Sequence, residues 1–190
     1  MYRRAQAVFF WPASCTFVYM KKLLLLMLLL AGMNAQAQKE VALKDDTLTA
    51  PYLKHKELPA FDAEHLNGKD TFNTFNIPTG KPVLIIYFSP DCDHCQKMID
   101  ELLPDMDKLK NVNVYFMSFM PLKAMEIFNR MRHMEKYENV KFIGRDFRFF
   151  FPTFYGTSSV PNVVLYDKNK KFVKLWPNGA NIKEIQAELK

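Results

Sequence analysis

The chain has 190 residues, of which 49% are hydrophobic and 24% charged, and its formal net charge is +6 at pH 7. This composition excludes a wholly disordered chain, a collagen-like repeat and a polytopic membrane protein, and the length suits one domain with its own core. With only Cys15, Cys92 and Cys95, the chain is not a disulfide-rich miniprotein either.

Residues 1–37 have the parts of a secretory signal peptide. Four basic residues and no acidic one accompany an apolar run of 11 residues, and an Ala-Gln-Ala cleavage site ends the segment. The run is too short for a membrane-spanning helix, which needs about 20 residues. We therefore predict cleavage after Ala37 and export to the periplasm or cell envelope as a soluble protein. Residues 1–19 are either an extension from a misassigned start before Met20 or part of a genuine long leader.

Removing the signal peptide changes how the charge is interpreted. The net charge falls to +2, because all four basic residues leave and no acidic residue does. This loss removes the main argument for nucleic acid as a partner. Cys15 leaves as well, so the exported protein keeps Cys92 and Cys95 in a compartment where disulfides form and persist.

The remaining chain divides into a polar lead-in at residues 38–54 and one domain at residues 55–190. Near the start of the domain, the Asn-Gly pair at 67–68 is a strong turn signal, since both residue types tolerate a positive φ. It predicts a short β-hairpin around Phe61 and Phe72.

A buried strand and an amphipathic helix come next. Residues 83–88 form a continuous apolar, β-branched run, which is typical of a central strand covered on both faces. Apolar side chains then recur at three- and four-residue spacing, which predicts a helix that Pro104 kinks or ends. These side chains are Cys95, Met98, Ile99, Leu102, Leu103 and Met106.

The later elements complete the predicted fold. They are a strand at 112–116, a helix after Pro121, a short strand at 140–143, a hairpin at 163–175, and a last helix that begins at a capping box of Asn181 and Glu184. This order indicates an α/β fold with a central mixed β-sheet flanked by helices on both faces.

Six of the nine residues from 147 to 155 are aromatic. A short helix there would bury part of them in the core, but the three consecutive phenylalanines at 149–151 cannot all face inward. The segment is interpreted either as core or as part of an exposed groove for a partner.

Cys92 and Cys95 are the candidate catalytic residues. The buried strand leads through Cys92-Asp93-His94-Cys95 into the helix, so Cys92 lies at a helix N-terminus, where unpaired N–H groups stabilise a thiolate. A thiolate is the attacking species in disulfide exchange, and Cys95, one turn further on, is close enough to resolve a mixed disulfide on Cys92. We predict redox exchange by this pair, with no cofactor besides its own disulfide.

Other roles for the pair are less well supported. A structural disulfide across so short a loop removes little unfolded-state entropy, and one C-x-x-C supplies two of the four ligands that zinc needs. We therefore predict no metal. Two alternatives stay open, namely a copper-binding chaperone that uses both thiols with His94, and a redox-silent interaction domain with an aromatic groove.

The cysteine pair and Val160-Pro161 together resemble the thioredoxin superfamily. A proline before a strand is by itself a common start of an edge strand. The order strand, C-x-x-C, helix, then Val-Pro before a β-hairpin is similar to thioredoxins, and with the hairpin near residue 67 it resembles the exported TlpA/ResA-like thiol–disulfide oxidoreductases. The resemblance implies a thioredoxin-like fold with an N-terminal β-hairpin extension, a cis bond before Pro161, and a substrate contact shaped by Val160 and Pro161.

The resemblance also implies partners, and here the sequence departs from the family pattern. Expected partners are cysteine-containing protein substrates and a membrane electron-relay protein or an oxidant, with the chain itself a monomer. Ile86 and Met98 occupy positions where thioredoxins and ResA-like proteins, respectively, often carry an acid that helps deprotonate the buried thiol. Asp93 and His94 are candidate redox-tuning residues, because a cationic imidazole favours the thiolate and nearby aspartates oppose it. The direction of exchange, reductase or oxidase, stays open.

Overall fold

The computed structural model describes residues 49–189, which are built around one seven-stranded mixed β-sheet. The strands are β1 Asp62–His65, β2 Thr71–Asn73, β3 Val83–Tyr87, β4 Asn113–Ser118, β5 Val140–Arg145, β6 Asn162–Tyr166 and β7 Phe172–Pro177. The helices are α1 Pro51–Lys54, α2 Asp93–Leu102, α3 Leu122–Arg132, α4 Phe150–Tyr155 and α5 Ile182–Glu188. Short 3-10 helices cover Thr74–Asn76, Leu103–Leu109 and Met134–Lys136.

The sheet has the order β2-β1-β5-β4-β3-β6-β7. β3, β4 and β5 are parallel neighbours, whereas β6 pairs with β3 and β7 with β6 in antiparallel fashion. The predicted α/β class and mixed sheet are therefore confirmed. The parallel pair β3–β4 is joined by α2, which is the crossover that parallel strands require.

The centre of the sheet is β3, all five residues of which are buried. Because side chains alternate along a strand, Leu84 and Ile86 face one core cluster while Ile85 and Tyr87 face the other. The first cluster is filled from α2, α3 and α5, and the second from α4. Helices thus cover both faces, as predicted.

The N-terminal hairpin of β1 and β2 is confirmed, and β1 joins the sheet through β5. Gly68 has a φ of 65° as expected, but Asn67 acts through its side chain. Its Oδ1 accepts hydrogen bonds from the N–H groups of Lys69 and Asp70, at 3.0 and 3.2 Å.

Residues 51–54, which the sequence places in the polar lead-in, form the single turn of α1. The Tyr52 ring lies 5.8 Å from the ring of Tyr155 and 5.2 Å from that of Phe172. The predicted signal peptide at 1–37, its cleavage after Ala37 and the lead-in up to residue 48 lie outside the described residues. Between residues 49 and 189, no helix has the length and apolar character needed to cross a membrane.

Local signals account for how several helices begin and end. α2 ends at Leu102, before Pro104, and the chain continues as a 3-10 helix. At α5, the Asn181 side chain accepts from the N–H of Glu184 while the Glu184 side chain accepts from the N–H of Asn181, so the capping box is confirmed. α4 ends at Tyr155 and is capped by Gly156, whose φ of 63° suits glycine.

Candidate active site

The loop between β3 and α2 positions Cys92 at the N-cap of the helix. The Cys92 N–H donates to the carbonyl oxygen of Ser89 at 3.2 Å, and the Gln96 side chain donates to the carbonyl of Pro90 at 2.9 Å. The Cys92 sulfur accepts the N–H of Cys95 at 3.3 Å. Cys92 is half-buried, and its sulfur takes the place that a capping oxygen occupies in other helices.

Cys95 is one turn deeper and fully buried, with its thiol free like that of Cys92. The pKa of Cys95 is raised to about 12, chiefly by burial, with contributions from the hydrogen bond with Cys92 and from the charges of Cys92 and Asp91, while a backbone hydrogen bond at Ser89 opposes them. Cys95 therefore holds its proton firmly, whereas Cys92 is the sulfur that faces outward.

The segment before β6 lies opposite the cysteines. The Val160–Pro161 peptide bond is cis, as the resemblance implied. The Cys92 thiol contacts the carbonyl oxygen of Val160, with 4.0 Å between sulfur and oxygen. The buried Asn162 donates to the carbonyl of Ser159 and steadies this turn. Two chain segments that are 68 residues apart thus meet at one sulfur.

Apolar groups lie near Cys95 at the two positions where the sequence departs from the pattern of the resemblance. Ile86 is fully buried in the same core cluster as Cys95, and Met98 is 9% exposed. A Cβ added at Gly179 would lie 2.4 Å from the Met98 sulfur and 3.1 Å from Cγ of Pro161. The φ of Gly179 is 92°, a backbone conformation that glycine adopts easily. Its lack of a side chain also leaves room for Met98 and Pro161 to approach the backbone.

The two residues between the cysteines, Asp93 and His94, are both exposed. Asp93 is the first residue of α2, and an acid there stabilises the helix N-terminus. His94 lies on the rim of a cavity of about 320 Å³ whose other walls include Glu101 and Asn181. Their tuning of the redox couple stays a prediction.

Sequence reasoning did not single out Asp146, a fully buried carboxylate on the other face of the sheet. Its two oxygens accept the N–H groups of Phe150 and Phe151 at 2.9 and 2.8 Å, at the start of α4. The Tyr87 hydroxyl donates to the same carboxylate at 3.4 Å, and burial with this negative charge raises the pKa of Tyr87. An aspartate shortly before an apolar run was the available signal, because such residues favour helix N-termini.

The arrangement is suited to thiol chemistry. An outward-facing sulfur at a helix N-terminus can attack or be attacked, and a second thiol lies within one turn to form the intramolecular disulfide. Among residues 49–189, no group of three or more His, Cys, Asp or Glu side chains is placed to hold a metal ion. A copper-binding role would therefore rely on the two cysteines together with ligands that are not part of such a group.

Comparison with known families assigns the chain. The model of the thioredoxin-like domain matches residues 69–190, which is most of the chain and includes both cysteines and the cis-proline. The protein therefore belongs to the thioredoxin-like family. A search of the curated proteins finds no match.

Solved structures agree with this fold. The thioredoxin domain of a thiol–disulfide oxidoreductase from Bacteroides vulgatus has 18% identity and a TM-score of 0.57, covering 70% of this chain and 96% of that one. A thiol:disulfide interchange protein from Chlorobium tepidum has 12% identity and a TM-score of 0.57, covering 70% and 93%. A secreted Mycobacterium tuberculosis disulfide oxidoreductase, described as homologous to E. coli DsbE, has 19% identity and a TM-score of 0.54, covering 67% and 92%. At these identities the likeness establishes the fold.

Proposed function

We propose that the protein is an exported thiol–disulfide oxidoreductase that exchanges disulfides with protein cysteines through Cys92 and Cys95. The observation that carries the proposal is the position of the two sulfurs. Cys92 caps α2 and is half-buried, and Cys95 lies buried one turn below it. Solved structures of similar fold include thiol–disulfide oxidoreductases, which supports the same class of reaction.

In the proposed reaction the Cys92 thiolate attacks one sulfur of a substrate disulfide, and the other substrate sulfur leaves as a thiolate. The Cys95 sulfur, after losing its proton to solvent, then attacks Cys92 and releases the second substrate thiol. The pair ends as the Cys92–Cys95 disulfide, which is the only cofactor of the proposed reaction. In the oxidising direction the same two steps run in reverse. A membrane electron-relay protein or an oxidant returns the pair to its starting state.

Val160 and Pro161 are proposed to shape the substrate contact. The Val160 carbonyl lies 4.0 Å from the Cys92 sulfur, so a polypeptide joined to Cys92 must pass along this segment. Asp93 and His94 are proposed to tune the potential, because they are the two residues between the cysteines, and a cationic imidazole favours a thiolate while a carboxylate opposes it. The chain is proposed to act as a monomer, without nucleic acid, after signal cleavage.

The direct test is reduction of a disulfide-bonded protein such as insulin by the full chain carrying Cys15→Ser, with dithiothreitol as the reductant that regenerates the dithiol and with Cys92→Ser and Cys95→Ser variants as controls. We expect turnover in the parent, none above the dithiothreitol background with Cys92→Ser, and, when dithiothreitol is left out, a trapped covalent complex with Cys95→Ser. Absence of exchange together with Cu(I) binding that either substitution abolishes would favour the copper chaperone. Absence of both would favour the redox-silent interaction domain. Mass determination of the protein recovered from the periplasm tests cleavage after Ala37.

A further inference from the structure

A second cavity lies on the Val160 side of the cysteine pair. Its volume is about 210 Å³, and its eight lining residues carry no charge. They are Tyr87, Phe119, Phe149, Pro152, Thr157, Ser158, Ser159 and Val160. The cavity on the His94 side differs, because Lys97, Glu101 and Glu184 line it. The surface around Cys92 therefore has one charged side and one uncharged side, and three of the eight residues that line the uncharged cavity are aromatic.

The uncharged cavity is continuous with the proposed substrate contact. Val160 lines the cavity and also offers the carbonyl oxygen that lies 4.0 Å from the Cys92 sulfur. Successive residues of an extended chain advance by about 3.3 Å, and their side chains alternate between two directions. A polypeptide joined to Cys92 and extended along Val160 therefore brings a side chain within two residues of its cysteine to the cavity.

The size of the cavity limits what it can hold. Small-molecule sites usually have volumes of about 300–1,000 Å³, which is larger than this one. At ~30 Å³ for each water molecule, the cavity corresponds to about seven waters, which is the space of one large side chain. Its walls of Phe119, Phe149 and Pro152 suit an apolar occupant, and the exposed Phe149 suits an aromatic one.

The conformation of Phe149 is the second, independent observation. Its φ of 54° and ψ of 35° are left-handed, which costs free energy in a residue with a bulky side chain. The residue is 51% exposed, and its ring stacks on Phe119 with ring centroids 5.9 Å apart. Glycine or asparagine would adopt this backbone more easily, so the phenylalanine carries a conformational cost here. Strained residues of this kind are concentrated at functional sites.

The turn that holds Phe149 is fixed from inside the fold. The buried Asp146 carboxylate binds the N–H groups of Phe150 and Phe151, and the Phe149 N–H donates to the Asp146 carbonyl at 3.4 Å. Phe151 stacks on Tyr87 with ring centroids 4.3 Å apart, so one wall of the cavity is continuous with the core. The exposed ring is thus presented by a rigid support.

We propose that Phe119 and Phe149 form a side-chain subsite that selects, among cysteine-containing polypeptides, those with a large apolar residue within two positions of the attacked cysteine. The inference rests on the proposed function, since the subsite acts on a chain that is joined to Cys92. It adds the class of substrate, which is an extended segment with an aromatic, leucine or methionine side chain beside its cysteine.

The test uses short peptides that contain one cysteine, activated as a mixed disulfide with nitrothiobenzoate. The Cys92 thiolate attacks the peptide sulfur, the S–S bond breaks, and coloured nitrothiobenzoate thiolate leaves while the peptide becomes disulfide-bonded to Cys92. The full chain carries Cys15→Ser and Cys95→Ser, so that only Cys92 reacts. Phenylalanine, leucine, serine or aspartate is placed in turn at each of the two positions before and after the peptide cysteine.

We expect phenylalanine or leucine to raise the rate about three- to tenfold over serine at one or more of these positions. Phe149→Gly and Phe119→Ala should each reduce that preference to less than about twofold, and Phe149→Gly should leave the melting temperature unchanged or higher. Phe75→Ala is the matched control, because Phe75 is 75% exposed and does not line the cavity. This variant should keep the full preference.

Equal rates for all peptides, or a preference that survives Phe149→Gly, would overturn the subsite. A dimer in sedimentation that Phe149→Gly dissociates would assign the cavity to a second copy of the chain, and would overturn it as well. If no peptide reacts faster with the parent than with Cys92→Ser, the proposed function itself fails. The two failures are therefore distinguishable in one set of measurements.

Discussion

The burial of Cys95 predicts a steep dependence of substrate release on pH. Release needs the Cys95 thiolate, and the pKa of Cys95 is raised from 9.0 to about 12, with burial as the largest of several causes. At pH 7 a thiol with a pKa of 12 is ionised in about one molecule in 10⁵, against about one in 10² for a pKa of 9. The influence of Cys92 is lost once Cys92 is in a mixed disulfide but burial remains, so the deficit of Cys95 thiolate in that state is at most about a thousandfold.

The assay forms a mixed disulfide between Cys92 and a peptide in the chain carrying Cys15→Ser, and follows release of the peptide thiol. The rate should rise about tenfold for each pH unit from about pH 6 to about pH 9, without a plateau. A plateau near neutral pH would refute the reasoning, because it would mean that a group in the protein removes the Cys95 proton.

Substitution at Met98 tests whether the firmly held proton of Cys95 limits substrate release. Residue 98 lies one turn after Cys95 on the buried face of α2, so Met98→Glu places a carboxylate next to Cys95 as a proton acceptor. We expect faster release at neutral pH, by about 10²-fold for a well-placed base, and a weaker pH dependence. Met98→Gln is the matched control, because it has the same shape without the carboxylate. Equal rates for the two variants would contradict this explanation.

Three further predictions concern stability and the shape of the site. Gly179→Ala should destabilise the fold by about 1–2 kcal/mol in denaturant unfolding and slow exchange, because the new Cβ would lie 2.4 Å from the Met98 sulfur; an unchanged protein would contradict the close packing. The buried hydroxyls of Tyr155 and Tyr166 lie 2.5 Å apart, so Tyr155→Phe should cost about 1–3 kcal/mol, whereas replacing both tyrosines should cost less than the single change. Because the pKa of Cys95 is raised in the folded state, the contribution of the protonated thiol to stability is complete below about pH 9 and is lost as the pH approaches about 12. Urea unfolding of the reduced chain should show a fall in the free energy of unfolding over this range, and Cys95→Ser should make that fall smaller.

Much of the frame was predictable because it depends on local patterns. The apolar run at 83–88 identified β3, Asn181 with Glu184 identified the start of α5, and the spacing of Cys92 and Cys95 placed one sulfur at the helix N-terminus. Each of these features is fixed by residues within about one or two turns of chain, for which periodicity and capping are sufficient guides.

The features that shape the site were less predictable, because they join distant segments. Nothing near Phe149 in sequence reveals that its ring meets Phe119, or that Asp146 is buried beneath it. The contact between Gly179 and Met98 likewise depends on how α2 packs against the turn after β7. The aromatic segment shows the limit clearly, since Phe151 is core while Phe149 is half-exposed, so the core interpretation holds for part of the segment and the partner groove stays a prediction.

The central claim is that Cys92 and Cys95 form one redox couple. It is tested most directly by equilibrating the full chain carrying Cys15→Ser in glutathione buffers and measuring the fraction of disulfide by mass spectrometry after thiol alkylation. The account predicts one reversible two-electron transition, between about −270 mV for a thioredoxin-like reductase and about −120 mV for a strong oxidant, and its loss in Cys92→Ser. A chain that forms no reversible Cys92–Cys95 disulfide across this range would contradict the account.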